Sequence, residues 1–76
     1  MINELERVVL TGDLPDEGLK SGDVGTVVLA HKQGKAYEVE FLNLAGETVA
    51  VATVDAALVR RVTKRDISHS RRLAAA

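Results

Sequence analysis

The chain has 76 residues, 46% of them hydrophobic and 28% charged, with a formal net charge of -1 and neither cysteine nor tryptophan. This length holds one domain with a thin core, the apolar share is too high for a disordered chain, and the lack of cysteine excludes disulfides and thiolate metal sites. No apolar run approaches the roughly 18 residues of a membrane span, and the acids near the N-terminus do not suit a secretory signal. A soluble cytoplasmic protein without a membrane partner is therefore expected.

Residues 5–11, LERVVLT, form a short β-favouring run and the first expected strand. The polar segment 12–23 follows, with Gly12, Pro15, Gly18 and Gly22 marking several turns rather than a helix. Leu14 and Leu19 are its only large apolar residues, and they are expected to fold back over the core. VGTVVLAH, residues 24–31, is the second strand, and KQGK turns the chain with Gly34 suited to a positive φ.

In AYEVEFLN, residues 36–43, Tyr37, Val39 and Phe41 share one face while Glu38 and Glu40 share the other, the period of a half-buried antiparallel strand. Together with Val27 these three are the expected core. A turn around Gly46 leads to TVAVATV, residues 48–54, whose small and branched residues suit either face. A 3₁₀-type turn from Asp55 and a closing strand around 58–62 complete the series. Five short strands with one long loop and several tight turns predict an all-β, SH3-like barrel over residues 1–62, with an OB-like barrel as the second choice. Residues 63–76 form a basic tail. Thr63 and Asp66 have capping-box spacing and RRLAAA has high helix propensity, so a marginal short helix is expected there, ordered only against another chain.

Charge divides close to that boundary, at residue 60. Residues 1–59 carry ten acidic side chains against four basic ones, about -6, whereas residues 60–76 carry six basic ones against Asp66 alone, about +5. An acidic body with a basic tail is the main functional clue in the composition.

The stretch GDVGTVV, residues 22–28, has a structural reading: Gly22 eases a sharp turn, Asp23 bonds nearby backbone amides, and Gly25 lets a neighbouring strand pass closely. It lacks the Lys-Ser/Thr end of a phosphate-binding loop and the helix of a dinucleotide site. It resembles the KOW-type motif of small SH3-like domains in ribosomal and transcription proteins, modules that touch RNA or protein. DLPDEGL (13–19), GDVGTVV (22–28), KAYEVEF (35–41) and TVAVAT (48–53) together resemble the small bacterial family of domain of unknown function 4926 over about residues 8–60. The resemblance implies an SH3-like fold and likeness to stand-alone partners encoded beside small nuclease-like toxins. The tail lies outside it.

The residues offer little catalytic chemistry. His31 and His69 have no third ligand at a recognised spacing, and Asp13, Asp16 and Glu17 lack the ligand pattern of a calcium loop. Glu38 and Glu40 form a solvated face, and Ser21, Ser68 and Ser70 have no activating base. A non-enzyme without cofactor or metal is expected. Protein binding suits the chain better: Leu14, Pro15 and Leu19 are apolar anchors rimmed by Asp13, Asp16 and Glu17, a mixture fitted to a basic protein surface such as that of an RNA-cleaving toxin. Two alternatives stand beside it. The tail cations Arg60, Arg61, Lys64, Arg65, Arg71 and Arg72 would hold RNA electrostatically, and the uncharged strand 48–54 would support a homo-oligomer if it lies at an edge.

Overall fold

The computed structural model of the protein describes residues 1–74. Five antiparallel strands make one sheet: β1 (Arg7–Leu10), β2 (Val24–His31), β3 (Ala36–Leu42), β4 (Thr48–Asp55) and β5 (Val59–Arg61). Their spatial order is β4-β3-β2-β1-β5, so β4 and β5 stand at opposite margins and no ladder joins them. The sheet is open. This corrects the expectation of an SH3-like barrel, and with it any OB-like closure. Alternation and turn spacing specify strands and hairpins, but closure requires the first and last margins to meet.

Alternation on β3 places Tyr37, Val39 and Phe41 in the core, at 3%, 0% and 2% exposure. Their cross-strand partners share that face: Gly25 and Ala50 flank Phe41, and Val27 and Ala52 flank Val39. On β2 the register shifts between Val27 and Leu29. This one-residue bulge at Val28 returns Ala30 to the core face beside Tyr37. Val8, Leu10, Leu19, Val54 and Val59 complete the cluster.

Gly25 is where a close approach dictates the residue. A Cβ there would stand 2.5 Å from Val39 Cγ1 and 2.9 Å from the Glu40 carbonyl oxygen. Gly22 meets the other demand of that motif, turning into β2 at φ 96°. Asp55 initiates a 3₁₀ turn (Ala56–Leu58) by accepting a hydrogen bond from the Ala57 N–H at 2.8 Å.

The described residues contain no α-helix, so the helical tail is also corrected. Half of the expected device is present: the Thr63 N–H donates to Asp66 Oδ2 at 2.7 Å, and the Arg65 N–H donates to Thr63 Oγ1 at 3.2 Å. Ile67, Ser68, His69 and Ser70 follow, all poorer helix formers than alanine. The chain instead extends over the sheet and is held by side-chain contacts. Val9 reflects this path. It points away from Val8 and Leu10, toward the second face, and is still only 7% exposed. An open groove of about 740 Å³ separates that face from the tail, with Val9, Val24 and Leu42 on one side and Ile67 and Leu73 on the other.

Candidate functional site: the acidic loop and the tail that crosses it

The segment between β1 and β2 takes its shape from its two leucines. Leu14 and Leu19 form an isolated antiparallel bridge, with N–H···O distances of 2.9 and 3.1 Å. Leu19 is 2% exposed and belongs to the core, while Leu14 is half-buried against it. Leu19 therefore anchors the loop from within and presents no surface of its own. Between the leucines a 3₁₀ turn (Pro15–Glu17) projects Pro15, Asp16 and Glu17 into solvent. Gly18 closes it at φ 70°, its N–H donating to the Pro15 carbonyl. Proline at the start and glycine at the end suit this geometry. Among the described residues neither Asp16 nor Glu17 has a salt-bridge partner.

The loop base is pinned by two carboxylates. Asp13 Oδ1 accepts from the Ser21 N–H at 2.8 Å, and Asp23 Oδ2 accepts from the Lys20 N–H at 2.9 Å. Asp23 also grips the tail. Arg71 Nε donates to Asp23 Oδ1 at 2.8 Å and Arg71 Nη2 to Asp23 Oδ2 at 2.5 Å, a bidentate pair. The same Nη2 reaches the Gly18 carbonyl at 3.2 Å. The Arg71 guanidinium holds the Asp23 carboxyl below its ordinary range; burial opposes this and the Lys20 amide assists it. Arg71 is raised in turn, chiefly by its hydrogen bond to Asp23. A shallow recess of about 330 Å³ lies beside this clasp, lined by Asp13, Pro15, Gly18, Lys20 and Arg72.

Two β5 cations of the C-terminal basic set are similarly engaged. Arg60 pairs with Asp66 at 2.8 Å, and that guanidinium, with the Thr63 amide, holds the Asp66 carboxyl far below the usual carboxylate range. Arg61 pairs with Glu6 at 2.9 Å and donates to the Met1 carbonyl, joining β5 to the N-terminal segment. Lys64, Arg65 and Arg72 are exposed and form no salt bridge among the described residues. The six tail cations thus do not form one basic surface: Arg60, Arg61 and Arg71 already hold carboxylates of the same chain.

Among the described residues no three His, Cys, Asp or Glu side chains gather where a metal ion could sit. His31 Nε2 lies 3.4 Å from Glu38 Oε2 on the solvent side of the β2–β3 hairpin. Glu40 accepts a hydrogen bond from Thr48 Oγ1 at 2.8 Å. The sequence pattern located Asp13, Asp16 and Glu17 on one loop, and the fold keeps them there. It did not pair Asp23 with Arg71, because 48 residues separate them and no local spacing marks the contact.

A family model described as "Domain of unknown function (DUF4926)" matches residues 4–60 of the chain, and the chain belongs to this family. No curated protein and no solved structure matches it.

Proposed function

We propose that this member of the DUF4926 family is a non-catalytic protein-binding module whose acidic loop receives an arginine-bearing segment of a basic partner. One observation carries this reading: the loop already holds such a segment, its own tail. Arg71 lies across the loop base, bonded to the Asp23 carboxylate and the Gly18 carbonyl. Asp16, Glu17 and Pro15 extend the acidic, partly apolar rim beyond it. A planar guanidinium in a carboxylate fork is specific recognition that a lysine does not reproduce. The outer acids would steer a positively charged surface toward the site. A nuclease-like toxin has the required chemistry, since a protein that grips phosphates displays arginines and lysines; antitoxin-like neutralisation is the finer form of the proposal.

The test measures binding of short arginine-rich and lysine-rich peptides to the full-length protein, its Arg71→Ala variant, and a variant with Asp16→Lys and Glu17→Lys. Vacating the fork by Arg71→Ala should strengthen arginine-peptide binding about tenfold, and loop reversal should weaken it by a similar factor. Equal affinity for both peptides, or indifference to both variants, would rule the reading out. A short RNA that binds more tightly than either peptide, and loses that binding on Lys64→Ala with Arg65→Ala and Arg72→Ala, would transfer the function to the tail.

A further inference from the structure

The two margins of the open sheet are built differently. β5 is three residues long, carries Arg60 and Arg61, and leads directly into the tail. Both arginines are ion-paired, and Arg60 Nη1 also donates to the Arg61 carbonyl at 3.1 Å. Short length and charge are the usual devices that keep a margin from recruiting another strand.

β4 has none of them. It is eight residues long, with no charge from Thr48 to Val54 and no proline; its register with β3 shifts once, at Val49, and runs without interruption from Ala50 to Asp55. Val49, Val51 and Val54 supply β-branched side chains, and Val51 is half exposed. Its inner edge is paired with β3 from Asp55 to Thr48. Among the described residues, no backbone group of Thr48–Asp55 hydrogen-bonds to any loop or turn. The outward N–H and C=O groups of this margin consequently have no partner among the described residues.

We infer that β4 is a dimerisation strand: it pairs antiparallel with β4 of a second copy, joining two sheets into one of ten strands. Three features favour a copy over an unrelated strand. Antiparallel pairing of a strand with itself is isologous and satisfies both margins at once. The product ends in β5 on both sides, so growth stops at two where an unguarded second margin would allow a fibre. The uncharged strand also brings no like charges together, provided the register is suitable. A two-fold axis at Val51 would set Glu47 opposite Asp55, whereas an axis at Ala50 or Ala52 would not; like charges directly opposite are destabilising. An axis on either of those alanines meets the condition and keeps the pairing centred on the strand. This inference is independent of the acidic loop, which lies between β1 and β2.

Sedimentation of the full-length protein up to high micromolar concentration should show a species of twice the 8.1 kDa chain mass. Hydrogen exchange of β4 amides should slow as that species forms. Val51→Lys and, separately, Val51→Glu should each weaken association by about tenfold or more, because with either axis each places a charge diagonally beside its copy at the junction. Leu29→Lys, a comparably exposed change on inner strand β2, should leave association unaltered. Circular dichroism identifies folded variants, and Val51→Glu serves if Val51→Lys does not fold. A monomer throughout the concentration range overturns the inference. So does a dimer whose β4 amides exchange at the monomer rate, or one weakened equally by Leu29→Lys.

Discussion

The sheet and the tail are held by different forces. In the sheet, Val8, Val27 and Val39 have no exposure and Phe41 has 2%, and no polar residue is buried among them. In the tail, Ile67 is 91% exposed, and attachment runs mainly through the ion pairs Arg60–Asp66 and Arg71–Asp23. Apolar burial is not screened by salt and involves no group that titrates near neutrality. Ion pairs weaken with salt and vanish when a partner is neutralised. The difference means that the tail can leave the acidic loop while the sheet stays folded, as exchange with an incoming basic segment requires.

The sharpest way to break the sheet side of this contrast is Phe41→Ala. Removing this buried ring should cost about 3–5 kcal/mol, comparable with the total stability of about 5 kcal/mol expected for so small a domain. Urea or thermal unfolding followed by circular dichroism should find the variant largely unfolded at 25 °C. Its loss of binding would then carry no information about the acidic loop.

Gly25→Ala should have a smaller effect, about 1–3 kcal/mol. The Val39 methyl can move aside, but the Glu40 carbonyl at 2.9 Å belongs to the ladder and yields only if β2 and β3 separate. A lowered unfolding midpoint with an unchanged denaturant dependence is the expected result. Wild-type stability would show that the two strands have slack at this crossing.

Asp23→Asn should change stability least, by about 1 kcal/mol or less, while freeing the tail. NMR should show the Arg71 side chain becoming mobile with the core methyl shifts unchanged. The folded-state pKa of Asp23 is depressed, so its contribution is complete at neutral pH, above the unfolded value. It is lost as the pH falls below about 4 and through the depressed folded value. Tail release in the parent protein should follow that acid limb, and the Asp23→Asn substitution should abolish the dependence. A tail that stays ordered in the variant would place its attachment in the apolar groove.

How far the sequence could be read depended on the range of each interaction. Tyr37, Val39 and Phe41 were legible because strand period alone assigns a face. GDVG was legible because its demands are local: a turn at Gly22, an amide acceptor at Asp23 and a close crossing at Gly25, all met in the fold. Thr63 and Asp66 show the limit of such reasoning. Their capping contacts form, but the residues after them do not sustain a helix. On β4 the small side chains left the inward face open; pairing with β3 turned Ala52 and Val54 inward and Val51 and Thr53 outward.

By itself the sequence determined the strands, the turns between them, the β3 core face and the acidic character of the loop, because each depends on neighbours a few residues away. Tertiary structure alone decided that the sheet stays open, that β4 is a bare margin and that Arg71 closes on Asp23. Each of these depends on where distant segments come to lie after the chain has collapsed, and no local spacing encodes that placement.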